Sequence, residues 1–149
     1  MANVIGFFSG LKEVNMVTHQ RKILVVEDNE VDRKVIVATL QRRGYTVMTA
    51  ENGAVGLEMA KAKLPDVIVL DCEMPVMGGV EMCRRLKESK PGQNIPVLFL
   101  TSVDTPRNVI DCFEADASNF LTKPLNSSVL LSQIRSILEM NDENANLNG

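Results

Sequence analysis

A chain of 149 residues suits a single domain, and a domain of that size buries about two-thirds of its unfolded surface, enough for one sizeable core. Apolar residues make up 45 % but aromatics only 4 %, with no Trp, so Val, Ile, Leu and Met must fill the interior. A formal charge of −3 and the lack of any dense Lys/Arg block argue against direct nucleic-acid binding, and no apolar run approaches the roughly 18 residues of a membrane span.

Residues 1–20 read as an N-terminal extension. Val4, Ile5, Phe7, Phe8 and Leu11 offer a short apolar face that Lys12 and Glu13 cut off. With no basic segment ahead of it, this face suits packing on the domain or a partner better than a signal peptide. His19 is the sole histidine and lies in a polar stretch, so the chain has no His-activated nucleophile and no His-rich metal site.

Over residues 21–140, short apolar runs alternate with segments of helical spacing. KILVVE (22–27), YTVMTA (45–50), DVIVLD (66–71), PVLFLT (96–101) and SNFLT (118–122) predict strands. Segments 30–42, 53–63, 79–88, 104–115 and 126–140 predict helices, separated by breakers such as Gly44, Asn52-Gly53, Pro65 and Gly78-Gly79. Five strands alternating with five helices imply an α/β fold with a doubly wound five-stranded parallel sheet, because parallel neighbours need right-handed crossovers that place helices on both faces. Cys72, Cys83 and Cys112 are odd in number, lack CxxC spacing and lie in periodic apolar segments, as reduced cytoplasmic thiols do. The polar tail at 141–149, NDENANLNG, is expected to fray.

In such folds the functional crevice lies beyond the carboxyl ends of the strands. Here the first strand ends in Glu27 and Asp28, the third in Asp71, the fourth in Thr101 and Ser102, and Lys123 follows the fifth. At about 4 Å, two like charges repel by roughly 4 kcal/mol at an effective dielectric near 20. Three clustered carboxylates therefore either take up protons or hold a hard divalent cation, and an incomplete all-oxygen set favours Mg²⁺. Charge counting supports the cation: three carboxylates, a divalent metal and Lys123 sum to zero, so a phosphoryl dianion can enter. The loop EDNEVD after the first strand would repel the phosphate of a flavin or dinucleotide, so no such cofactor is expected.

ILVVEDN, VIVLDCEMPVMGG, VLFLTS and NFLTKPL, in that order and register, resemble the receiver domain of bacterial two-component response regulators, including the chemotaxis regulators, from about Arg21 to Glu139. The resemblance implies a flavodoxin-like (βα)5 receiver fold and a phosphoacceptor switch that is not otherwise an enzyme. It implies that Asp71 takes a phosphoryl group from a histidine kinase or phosphotransfer protein. Asp28 and Asp71 would bind Mg²⁺ directly, Glu27 through water, and the Glu73 backbone carbonyl would complete the set. Thr101 and Lys123 would contact the phosphoryl oxygens, Phe120 would be the switching aromatic beside Thr101, and Lys123-Pro124 would be cis. The output would pass to a downstream protein or an output domain. Two departures from the family pattern are Asp116, where Gly is usual, and Glu27, where Asp is usual. Glu73 and Val103 border the expected phosphoryl position, where their chemistry would orient attacking water poorly and prolong the phosphorylated state. Two other readings are a Mg²⁺-dependent phosphohydrolase with an aspartyl nucleophile and a receiver-like scaffold that no longer takes phosphate. The hydrolase usually wants Asp-x-Asp, whereas this chain has Asp28-Asn29-Glu30.

Overall fold

A computed structural model describes residues 20–102 and 119–148, with side chains through 144. Residues 1–19 of the extension expected at 1–20, the helix expected at 104–115, and His19, Val103, Cys112 and Asp116 lie outside the described residues. In chain order the elements are β1 (Lys22–Val26), α1 (Glu30–Gln41), β2 (Thr46–Ala50), α2 (Gly53–Lys63) and β3 (Val67–Asp71). They continue with α3 (Gly79–Glu88), β4 (Val97–Ser102), β5 (Asn119–Lys123) and α4 (Ser127–Asn148). Strand and helix ends fall within a residue or two of the sequence reading, except at the end of α4.

The five strands form one parallel sheet in the order β2-β1-β3-β4-β5. The chain steps outward from β1 to β2, then returns past β1 to build the other half, so the topological switch point lies between β1 and β3. Central strands in such a sheet are covered on both faces and read as unbroken apolar runs; every residue of β3, VIVLD, is buried. One face packs Leu24, Val26, Ile68, Leu70 and Phe99 against Leu57 and Ala60 of α2 and Met82 and Leu86 of α3. The other packs Ile23, Val25, Val69 and Leu100 against Ile36 and Leu40 of α1 and Leu130 and Ile134 of α4. Cys72 and Cys83 join the first cluster as buried thiols outside any disulfide, in keeping with their apolar surroundings.

Asparagines start α1, α2 and α4, whereas α3 begins after Gly78 with no side-chain cap. The Asn29 and Asn52 side chains accept from the N–H groups of Asp32 and Val55, each at 2.9 Å, and Asn126 accepts from Val129 at 3.1 Å, satisfying donors that the first turn leaves unpaired. α4 runs through Asn148 rather than fraying after Met140. Residues 141–148 contain no Gly or Pro to break it, and Arg21 ahead of β1 pairs with Asp142.

Candidate functional site

The switch point is where the acids gather. Glu27 and Asp28 leave β1 directly after Val26, and Asp71 ends the neighbouring β3, whose Leu70 is registered with Val26. One carboxylate oxygen from each of Glu27, Asp28 and Asp71 can be chosen so that all lie within 4.8 Å of one another. Glu27 is fully buried and Asp71 only 4 % exposed, while Asp28 faces solvent.

Lys123, at the end of β5, reaches across β4 into this cluster. Its Nζ donates to Glu27 Oε1 at 3.1 Å and Asp71 Oδ2 at 3.2 Å, and lies 3.7 Å from Asp32 Oδ2. The Lys123–Pro124 peptide is cis, as the resemblance implied. Burial alone would lower the Lys123 pKa, but the charge of Asp71 and its contacts with Glu27 outweigh this and raise it. One ammonium is shared among several acids and does not neutralise them. The Glu27 carboxyl is pushed up to about 7, first by burial, then by its hydrogen bond to Asp71 and by that residue's charge, against the lowering pull of the Asn29 N–H and Lys123.

Local geometry fixes the remaining parts. The Glu73 N–H donates to Asp71 Oδ1 at 3.1 Å, anchoring the phosphoacceptor candidate to its own loop. Gly79 sits against the end of β3 so closely that a Cβ there would lie 2.2 Å from the Asp71 carbonyl oxygen, and its N–H donates to Cys72 O at 3.1 Å. Thr101 is 1 % exposed, with Oγ1 making only a long 3.4 Å contact to Ser102 O among the hydrogen bonds described. Phe120 packs on the cluster that contains Phe99, and Phe99 and Thr101 alternate onto the same side of β4, so Thr101 and Phe120 share a face of the sheet. Beside the acids, a cleft of about 320 Å³ is bounded by Asp32, Lys123 and the apolar Val35, Ile36 and Leu100.

The structure thus brings Glu27, Asp28, Asp71, Glu73 and Lys123 together and sets Thr101 and Phe120 on one face. Two contributors escaped the sequence reading. Asp32 lies near Lys123 from the first turn of α1, and Arg33 Nη1 donates to the backbone carbonyls of Glu27 at 2.9 Å and Asp28 at 3.4 Å. Their spacing of four and five residues past Asp28 placed them one helical turn from the acids, which was the available signal.

Residues 23–135 match the response regulator receiver domain. The chain belongs to that family. The receiver is 40 % identical over 116 residues to the response regulator PleD of Caulobacter vibrioides, covering 78 % of this chain and 26 % of PleD. It is 37 % identical to the response regulator MprA of Mycobacterium ulcerans, covering 78 % of this chain and 50 % of MprA. The chain therefore spans at most about half the length of these relatives. Among solved structures, the chemotaxis protein CheY4 of Vibrio cholerae superposes with a TM-score of 0.76 at 32 % identity, over 80 % of this chain and all of that one (100 %). The receiver domain of the sensor histidine kinase PA1611 from Pseudomonas aeruginosa, described with a magnesium ion coordinated in its active-site cleft, gives 0.77 at 28 % identity, over 81 % and 99 %. The fold is the flavodoxin-like fold of CheY-like receivers, and the function is that of a response-regulator receiver in two-component signalling.

Proposed function

We propose that Asp71 is the phosphoacceptor of this receiver and that the reaction depends on Mg²⁺. The observation that carries the reading is the convergence of the Glu27, Asp28 and Asp71 carboxylates within 4.8 Å, with the Lys123 ammonium 3.1–3.2 Å from two of them. The donor set fits the ion: hard oxygens only, incomplete, and with three carboxylates close together that share one lysine. Asp28, Asp71 and the Glu73 carbonyl would hold Mg²⁺, with Glu27 through water, and the ion would supply the charge that lets a phosphoryl dianion approach.

An Asp71 carboxylate oxygen attacks the phosphorus of a phosphohistidine; the P–O bond forms as the P–N bond breaks, and the imidazole leaves with the electron pair and takes a proton. Glu73 N–H holds Asp71 in place through its other oxygen. Lys123 exchanges its carboxylate contacts for the phosphoryl oxygens, and the weakly held Thr101 hydroxyl turns toward them. Movement of Thr101 leaves space on the face it shares with Phe120, which biases a pre-existing two-state equilibrium.

The donor is a histidine kinase or a phosphotransfer protein, and the output goes to a downstream protein or an output domain. Residues 21–140 act as the receiver, with 1–20 as an extension and 141–148 continuing α4. The unit works in the cytoplasm as a switch whose only chemistry is its own phosphorylation and dephosphorylation. Treatment with acetyl phosphate and Mg²⁺, followed by peptide mass spectrometry, tests the reading: a phosphoryl adduct on Asp71 is expected, absent without Mg²⁺ and absent in Asp71→Ala. An adduct on Asp28 would instead support an aspartyl phosphohydrolase, and no adduct at all a scaffold.

A further inference from the structure

We propose that Arg33 is a positioning residue for the acid edge: by donating to the carbonyls of Glu27 and Asp28 it fixes the β1–α1 turn that aims their carboxylates at Asp71. The inference rests on the Mg²⁺-dependent reading above.

The backbone accounting at the end of β1 leads to this role. The β1–β3 pairing stops at Val26 with Leu70, while the Glu27 N–H is still taken by Ala50 O at 3.1 Å. The Glu27 carbonyl lies past the last β1–β3 pair, and a buried carbonyl without a donor is costly. Arg33 Nη1 supplies that donor at 2.9 Å and lies 3.4 Å from the next carbonyl, Asp28 O. One guanidinium nitrogen carries two hydrogens, so a single group can hold two successive carbonyls.

The rest of the turn closes around this contact. The Asn29 N–H donates to Glu27 Oε2 at 3.0 Å, and the Asn29 side chain caps α1 through the Asp32 N–H at 2.9 Å. The Arg33 N–H donates back to Asn29 O at 2.9 Å. The helix, the turn carbonyls and the Glu27 carboxylate therefore form one connected unit with Arg33 as its outer brace. Neighbouring cations are used differently. Lys34 pairs with Glu30 at 3.0 Å on the exposed side of the same helix, whereas the contacts described for Arg33 are to backbone carbonyls, although Asp28, Glu30 and Asp32 all lie within five positions.

Charge and position pull in opposite directions, which gives the proposal a sign. A guanidinium beside a cation site repels the cation, so removing its charge should tighten Mg²⁺ binding if charge were its whole effect. Loss of a residue that orients metal ligands weakens binding, typically by about 10–100-fold.

Arg33→Met keeps the length and loses both charge and donors; Arg33→Lys keeps charge and one donor group. For wild type and both variants of the full chain, the measurement is the Mg²⁺ concentration giving half-maximal acetyl-phosphate labelling of Asp71, together with the rate at saturating Mg²⁺ and a thermal melt. The expected order of half-saturating Mg²⁺ is wild type lowest, Lys intermediate and Met highest, the last by about tenfold, with saturated rates within about twofold. Met equal to or below wild type overturns the proposal. If Met fails to melt cooperatively, Lys decides: a value at or below wild type overturns it equally. Absence of Mg²⁺-dependent labelling in the wild type overturns the underlying reading and this inference with it, whereas normal wild-type labelling with unshifted variants overturns the role of Arg33 alone.

Discussion

β3 is bracketed by two aspartates with opposite circumstances. At its amino end, Asp66 accepts the Lys22 N–H at 2.7 Å through its side chain while its own N–H donates to Lys22 O at 2.8 Å, so the acid extends the β1–β3 ladder. At its carboxyl end, Asp71 lies beside two further carboxylates and shares one lysine with Glu27. At the carboxyl end the ladder leaves a carbonyl, Glu27 O, which needs a donor and finds it in Arg33, while the acids there take single N–H groups from the following loops, Asn29 for Glu27 and Glu73 for Asp71. An acid at the amino end stabilises the sheet, and acids at the carboxyl end need a cation.

The largest expected effect that bears on this contrast is one of pH. With Glu27 raised from 4.5 to about 7, the metal-free fold binds a proton that the unfolded chain releases. Its contribution is fully present below about pH 4.5 and is lost as pH rises through about 7, roughly 3 kcal/mol in all. Denaturant melts of metal-free protein at pH 5 and pH 8 should show this fall, superimposed on other titrations, and Mg²⁺ should reverse it at pH 8 but not at pH 5. A smaller effect should come from Gly79→Ala. Its Cβ would meet backbone at 2.2 Å, so the end of β3 must shift, at a cost of about 2–3 kcal/mol in unfolding free energy, with weakened Asp71 labelling.

The two aspartates should then respond with opposite signs. At pH 8 without metal, Asp71→Asn removes one repelling charge and should raise stability by about 1–2 kcal/mol while abolishing labelling. Asp66→Ala strips a carboxylate from the Lys22 N–H and should lower stability by about 1–2 kcal/mol with labelling intact. Equal signs in chemical melts would break the comparison. The smallest effect lies in the loop after Asp71. Val76 is a β-branched residue at φ 71°, 84 % exposed, in a region that costs most residues about 1–2 kcal/mol. Val76→Asn, better suited to that backbone, should raise the melting midpoint by the equivalent of about 0.5–1 kcal/mol.

Much of this was legible in the chain because the sheet is buried on both faces. Runs such as VIVL admit few readings when helical spacing flanks them, and residues at strand ends converge once the topology is known. Glu27, Asp28, Asp71 and Lys123 were therefore locatable in advance. Asp32 and Arg33 were not, because charged residues in a first helical turn read equally well as a solvated face, and only the folded geometry shows the Arg33 Nη1 reaching back to the Glu27 and Asp28 carbonyls. The reach of α4 through Asn148 was hidden by polar composition, which marks exposure as readily as fraying. The left-handed backbone at Val76 has no signature in a valine side chain.

Carboxylates at the sheet edge are accommodated by a proton or by a metal ion, and calorimetric Mg²⁺ titration in buffers of different ionisation enthalpy tests this most directly. The account predicts that binding at pH 6 releases close to one proton, that the release vanishes by about pH 8, and that apparent affinity rises across the same interval. Binding of equal affinity at both pH values with no proton release, or no Mg²⁺ binding at either, would contradict it.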